Sequence, residues 1–312
     1  MERWKEELLP LLPTRVQKVL SEISESDRLL EIRLRADRPM QLVSEKHDRI
    51  VFAPGGEPMV AQEECAGILS TLCERSVYAW ETELSNGFLT LPGGYRVGVS
   101  GRAVTGVDGK IRYTAINGFC IRIVREHIGA AAPLIPFVSE RGQLLPTLLI
   151  SPPNCGKTTV LRDLIRTVSD GENGLAACRV CVADERFELC GSGGGRAAFQ
   201  VGCRTDIVSG MAKAAALERM LASLSPQVIA RDELNTAEDA SAVHRASGCG
   251  VTVLATAHAG GFKDLFLRES FRMLLQDRVF KRIVLLSDHP IGSVAAVFDG
   301  GGGELYRREE ST

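Results

Sequence analysis

The sequence predicts an α/β protein, with a parallel sheet covered by helices on both faces and a smaller α+β domain ahead of it. Three observations lead there. From residue 147 onward, short and nearly continuous apolar runs alternate with amphipathic stretches, the pattern of strands buried on both faces by crossover helices. The first of these runs feeds SPPNCGKTTV, residues 151 to 160, which ends as a phosphate-binding loop ends, in Gly156, Lys157, Thr158 and Thr159. Before residue 132 the rhythm differs, mixing helical spacing with strand-like alternation.

In chain order, residues 1 to about 30 read as helical, with Leu8, Leu9, Leu12, Val16, Val19, Leu20 and Ile23 at near-helical spacing. LLEIRLRADRPMQLV follows, where Ile32 and Leu34 alternate with Arg33 and Arg35 as in a strand. EECAGILSTLCERSVYAWETEL reads as one amphipathic helix, and GFLTLPGGYRVGVSGRAV as a hairpin turning at PGG with Tyr95, Val97 and Val99 alternating. CIRIVRE is a further strand. These elements form a domain over residues 1–131, and the proline-containing stretch APLIPFVSERGQLLP, residues 132–146, reads as a linker.

Residues 147–312 form the second domain. TLLIS (147–151) is a buried strand and GKTTVLRDLIRTV the helix after it. CRVCVAD (178–184), QVIARDE (227–233), GVTVLATAH (250–258) and RIVLLS (282–287) are further strands, with helices at SGMAKAAALERMLASL and AEDASAVHRAS. The tail, DGGGGELYRREEST, reads as a glycine-rich turn and a charged end.

Bulk properties narrow the function. A chain of 312 residues with 45% hydrophobic and 24% charged residues is of ordinary globular composition. A net charge of −2 argues against a general polyanion binder. Nine cysteines sit mostly in apolar runs, as reduced thiols do, and the one CxxC, Cys178 and Cys181, has no second pair at zinc spacing. The start is too charged for a signal peptide, and no segment approaches the roughly 20 apolar residues of a membrane span. A cytosolic protein is expected.

A phosphate loop works because successive backbone N–H groups and a helix N-terminus converge on the phosphates. Residues Ser151, Pro152, Pro153, Asn154, Cys155, Gly156, Lys157, Thr158 and Thr159 form the candidate ATP-binding loop. Lys157 would reach the β- and γ-phosphates, and Thr158 would hold Mg²⁺. The usual pattern begins with glycine where this chain has Ser151, so a live site and a disabled one are both open. SPQVIARDEL supports the live one: Asp232 and Glu233 close an apolar strand, where such enzymes place a carboxylate for the Mg²⁺ shell and a second to orient the attacking water. Without the loop upstream, the same pair would read as a helix cap and a solvated glutamate. Two more strand ends carry polar groups, Asp184, Glu185, Arg186 and Glu188 on one, Thr256 and His258 on the other, all facing the ligand crevice of a parallel sheet. The plainer readings are a surface cluster around Arg186 and a histidine capping a backbone group.

The ordered set SPPNCGKTT, VADERFEL, GCRTDIV, SPQVIARDEL and TVLATAHA resembles the secretion-type ATPases and, among these, the stage III sporulation AA family of endospore-forming bacteria. EIRLRADRPMQL, PGGYRVGVSGR and CIRIVRE extend the likeness over most of the chain. The resemblance implies a RecA-like P-loop ATPase core working as a homo-oligomeric, hexameric ring, docked peripherally on a membrane channel complex between mother cell and forespore. It implies that Lys157 and Thr158 belong to the Walker A loop, Asp232 and Glu233 to Walker B, Glu185 to the acidic box and His258 to the histidine box. Arg204 becomes a candidate for reaching a phosphate from the same or an adjacent subunit, with Arg122 and Arg125 behind it. Each arginine also reads as an ordinary surface charge. Ser151 departs from the family pattern, as does the lack of a large tetracysteine zinc motif.

Other functions compete. A nucleic-acid-handling NTPase is favoured only by Arg33, Arg35, Arg38, Arg96 and Arg102, against near-neutral charge and 5% aromatic content. A nucleotide-gated scaffold with little turnover is motivated by Ser151. A small-molecule kinase fits the separate first domain less well.

Overall fold

The computed structural model describes residues 3–24, 27–107, 109–124, 126–185, 187–191 and 197–309. The chain divides into two compact units, residues 1–125 and 126–312.

The first unit carries α1 (Arg3–Leu8), α2 (Thr14–Ser21), β1 (Leu29–Arg35), β2 (Met40–Ser44), β3 (Asp48–Val51), α3 (Cys65–Leu72), α4 (Glu81–Ser85), β4 (Phe88–Thr90), β5 (Arg96–Thr105) and β6 (Ile111–Arg122). Its six strands pair antiparallel in the order β3-β2-β1-β6-β5-β4. Alternation puts Ile32 and Leu34 into the core, and a register shift between Leu29 and Glu31 lets Leu29 join them, with Leu8, Val16, Leu20 and Tyr95. Two expected helices are divided. Pro10 and Pro13, which lack an N–H, separate α1 from α2. Between α3 and α4 the chain leaves the helix through Glu74 and Arg75, both left-handed with φ of 51° and 63°. The PGG turn is as the spacing predicts: Leu91 N–H donates to the Tyr95 carbonyl at 2.9 Å.

The second unit carries α5 (Ile135–Val138), β7 (Ser139–Glu140), β8 (Gln143–Leu144), β9 (Thr147–Ser151), α6 (Lys157–Asp170), β10 (Val180–Asp184), β11 (Thr205–Ser209), α7 (Lys213–Ser223), β12 (Val228–Arg231), α8 (Ala237–Gly248), β13 (Thr252–His258), α9 (Phe262–Phe266), α10 (Glu269–Gln276), β14 (Arg282–Asp288), β15 (Ile291–Asp299) and β16 (Glu304–Arg307). Residues 132–146, read from the sequence as a linker, belong to this unit and fold into a turn, α5 and the β7–β8 pair. Apolar Ile135 and Val138 are buried, which gives the segment a reason to order.

The main sheet has eight strands in the order β11-β10-β12-β13-β9-β14-β15-β16. The six from β11 to β14 are parallel, and β15 and β16 add antiparallel. The inner parallel strands β10, β12, β13 and β9 are largely apolar and buried, as strands covered on both faces are. β11, β15 and β16 are not among the strands expected from the sequence: β11 and β16 lie at the edges and are polar, and β15 carries Gly292, Ser293, Ala295 and Ala296 among its apolar residues. Register aligns the carboxyl ends of the inner strands, pairing His258 with Ser151, Arg231 with Ala255 and Ala183 with Arg231. One end of the sheet therefore presents Ser151, Asp184, Asp232 and His258 together.

Candidate functional site

The chain passes from β9 into α6 through residues 152–156. Two residues there take left-handed backbone, Asn154 at φ 62° and Gly156 at φ 79°. Asparagine is among the few side chains that tolerate this region, and Gly156 is the N-cap of α6. A Cβ on Gly156 would also stand 3.1 Å from Ile291 Cγ2. Ser151, by contrast, is the last residue of β9, fully buried and in extended backbone, so nothing in its conformation requires glycine. Its hydroxyl donates to the Pro152 carbonyl at 2.8 Å and accepts from Lys157 Nζ at 3.0 Å.

Lys157, at the start of α6, turns its side chain back under the loop. Nζ also reaches the carbonyls of Ser151 at 3.2 Å and Pro152 at 2.8 Å, and His258 Nδ1 at 3.1 Å. Burial pushes its pKa down, opposed by the charges of Asp232 and Glu233 nearby. An ammonium only donates, so His258 accepts at Nδ1 and keeps its proton on Nε2, which lies 3.1 Å from Glu233 Oε1. Lys157, His258 and Glu233 thus form a continuous polar chain across β9, β13 and the end of β12.

A second chain runs beside it. Thr158 Oγ1 donates to Asp232 Oδ2 at 2.7 Å, and Thr256 Oγ1 donates to Asp232 Oδ1. The Thr256 hydroxyl in turn accepts the Glu233 N–H at 2.8 Å. Asp232 is therefore held at both oxygens, one by α6 and one by β13.

Asp184 at the end of β10 is buried, and burial raises its pKa; three backbone N–H groups, from Cys190, Leu189 and Glu188, oppose the rise, while the Asp232 charge adds to it. These bonds fold the chain after β10 back onto its strand. Arg162, one turn beyond Thr158, pins the same segment by donating to the carbonyls of Leu189 and Glu188, each at 2.6 Å, with its guanidinium over Phe199.

The loop residues, Asp232, Glu233 and His258 are thus brought together. Glu185 lies exposed one residue beyond β10, at the same end of the sheet. Arg204 does not join them: its Nη1 donates to the Ser169 carbonyl at 2.9 Å. Ser169 is twelve residues along α6 from Lys157, about 18 Å at the helical rise. Arg204 precedes β11, at the opposite end of the sheet, and so cannot serve the loop of its own chain. Arg122 ends β6 in the first unit beside Glu31, at 3.6 Å. Arg125 and Arg186 lie outside the described residues. Sequence reasoning passed over Arg231, whose signal was a charge in an apolar strand, and Arg162, hidden by the periodicity of α6.

Among the described residues no group of three His, Cys, Asp or Glu side chains is placed to hold a metal. The pairing of one hydroxyl with one carboxylate does suit Mg²⁺, which takes few protein ligands and completes its octahedron with water and phosphate oxygens. The loop fits phosphate for an independent reason: the amino end of a 14-residue helix opens at Gly156 beside a buried ammonium.

Residues 2–305 match the family described as sporulation stage III, protein AA. The stage III sporulation protein AA of Bacillus subtilis (strain 168) is 36% identical over 304 residues, 96% of this chain and 97% of that protein. Among solved structures, the Legionella pneumophila ATPase DotB superposes with a TM-score of 0.54 at 15% identity, over 88% of this chain and 77% of that one. The pilus retraction motor PilT, solved with bound ADP, superposes at 0.56 and 13% identity, over 88% and 78%. At these identities the likeness to DotB and to PilT is one of fold. Matched over nearly its whole length by the family pattern and by the Bacillus subtilis relative, the chain belongs to the stage III sporulation protein AA family.

Proposed function

We propose that the chain is an Mg²⁺-dependent ATPase whose turnover drives a membrane-associated, secretion-like complex during sporulation. The observation that carries this reading is the joining of the 151–158 loop to two strand ends through Lys157–His258–Glu233 and Thr158–Asp232. In it, Lys157 leaves its loop carbonyls for the β- and γ-phosphates, an exchange helped by the partial relief of its buried charge. Mg²⁺, when bound at Thr158 and Asp232, supplies neutralisation of charge on the phosphate oxygens. Glu233 orients the attacking water, and His258 fixes the Glu233 carboxylate while sensing, through Nδ1, whether Lys157 has moved. Glu185 assists from the neighbouring strand end.

The same reading makes the active form a homo-oligomeric ring, a hexamer, with Arg204 acting on the site of an adjacent copy. Supporting this is the position of Arg204 at the far end of α6 from its own loop. An arginine supplied in trans ties hydrolysis to assembly. Among the described residues no helix is long and apolar enough to cross a membrane. Peripheral docking on membrane proteins follows in this proposal.

The test is steady-state ATP hydrolysis against protein concentration. Specific activity should rise with concentration and fall at least about a hundredfold in Lys157→Ala and Glu233→Gln. Mixed Arg204→Ala and Glu233→Gln chains should recover activity that neither has alone. Flat activity at the Glu233→Gln level would leave a nucleotide-gated scaffold as the reading.

A further inference from the structure

Arg231 is the last residue of β12, immediately before Asp232. Strand alternation sends the two side chains to opposite faces: Asp232 toward α6 and Thr158, Arg231 toward α8. On that second face the surroundings are hydrocarbon. Its register partners are Ala183 and Ala255, and Ile229, Leu234 and Val243 belong to the same apolar core. Arg231 is nevertheless fully buried, with 0% of its surface exposed.

Its contacts account for only part of the guanidinium. Nη2 pairs with Asp239 Oδ2 at 2.9 Å and donates to the Glu233 carbonyl at 3.1 Å. Nε and Nη1 have no hydrogen-bond partner. Leaving donors unpartnered in a dry core costs stability, and an aliphatic side chain of similar length would avoid that cost. An arrangement that costs stability points to some other use.

That use lies one peptide away. Glu233 has left-handed backbone, φ 52°, uncommon for a residue with a Cβ, and just past the end of a buried strand it is held by its partners. In a continuing strand Glu233 would point to the Arg231 face. The left-handed turn instead brings its carboxylate to the other face, 3.1 Å from His258 Nε2. Both peptide groups of the turn are gripped, the N–H by Thr256 and the carbonyl by Arg231. Asp239 fixes Arg231 and, through the capping box it forms with Thr236, is itself fixed at the start of α8.

We propose that Arg231 is a positioning residue, reaching from the far face of the sheet to hold Glu233 in its left-handed turn and its carboxylate against His258. The proposal rests on Glu233 being the water-orienting carboxylate. It assigns α8 a part in the site, because Asp239 anchors the arginine.

The experiment compares wild type, Arg231→Met and Arg231→Lys in two measurements: the kcat and KM of ATP hydrolysis, and the ring ¹⁵N spectrum of His258 recorded without nucleotide. In Arg231→Met, kcat should fall on the order of ten- to a hundredfold while KM changes less than about threefold, the split expected when a transition-state contact is lost and substrate binding is kept. The His258 spectrum should pass from a single Nε2–H tautomer to a mixture. Arg231→Lys, whose ammonium still reaches an acceptor, should restore part of both signals. Wild-type kcat and an unchanged His258 spectrum in Arg231→Met would overturn the proposal. So would a parallel collapse of kcat, KM and melting temperature with no rescue by lysine, the mark of a packing role alone. If the wild type itself shows no turnover, the ATPase reading fails, and the His258 spectrum of the two variants decides the role of Arg231 by itself.

Discussion

The two units differ in how much charge they bury: among the described residues the first buries only Lys5, the second eight charged groups. In the first, ion pairs such as Arg28–Glu45, Arg49–Asp27 and Arg112–Glu81 lie on the surface, open to water on at least one side. In the second, Lys157, Arg162, Asp163, Arg166, Asp184, Arg231, Asp232 and Asp239 are all buried. Surface pairs trade hydration for a screened attraction and contribute little. Buried charges lose hydration outright and persist only where geometry supplies several partners. Six of the eight buried groups lie in or next to the loop and strand ends that form the candidate site. Asp163 and Arg166 are the exceptions: they bind each other at 2.9 Å, and Asp163 accepts the Ala131 N–H at 2.8 Å, which serves the fold of α6. Buried charge therefore marks the site, but only when its partners lead to the loop.

The largest effect should come from orphaning one of these charges. Asp239→Ala leaves Arg231 with no carboxylate and removes the capping box of α8, and should destabilise by about 3–5 kcal/mol. Arg231→Met in the same chain should recover most of that, since a matched apolar replacement of a buried pair is close to neutral. Urea unfolding of the two single variants and the double variant measures the coupling. Additive losses would mean that Arg231 and Asp239 do not act as a pair, and the contrast with the first unit would weaken.

Much of this was legible in the sequence, for identifiable reasons. TLLIS matches β9, and the helix after it was placed to within two residues, because a fully buried parallel strand and an amphipathic helix carry strong, different periodicities. Lys157 and Thr158 were legible because the G-K-T spacing is tied to phosphate geometry, and Asp232 and Glu233 because they close an apolar strand. Ser151 was not: whether a glycine is needed depends on φ, and the left-handed positions prove to be Asn154 and Gly156. The site end of Arg231 was hidden because sequence gives its alternation but not the turn at Glu233 that brings a carbonyl within its reach. Whether Arg204 faces its own loop or an adjacent copy was not legible, because the sequence does not say which end of a strand a residue occupies; the structure sets it beside Ser169, away from its own loop.

A smaller effect separates the two environments by pH. The Asp239 carboxyl is held below its ordinary value of 3.8; burial works the other way, but the hydrogen bond and charge of Arg231 and the N–H groups of Asn235 and Thr236 outweigh it. A depressed folded pKa contributes stability that is fully present above about pH 4 and is lost as the pH falls through the folded value. The stability gap between wild type and Asp239→Asn should therefore be flat from pH 7 to about 5 and narrow below about 4. A gap that narrows already near pH 6 would assign the effect to another group.

The smallest effect tests the first unit. Arg112 approaches Glu81 at 2.8 Å, and Lys110 stands 3.6 Å from the same carboxylate, with all three side chains part-exposed. Two cations around one carboxylate at the surface gain little from each other's presence, because water screens each contact and holding long side chains costs entropy. Glu81→Gln should change stability by no more than about 0.5 kcal/mol, and half-molar salt should erase most of that, since the Debye length is then well under 10 Å. A loss of about 2 kcal/mol or more that salt leaves untouched would show that Glu81 is shielded as the second unit's charges are. In that case exposure alone would no longer separate the charges that support the fold from those that build the site.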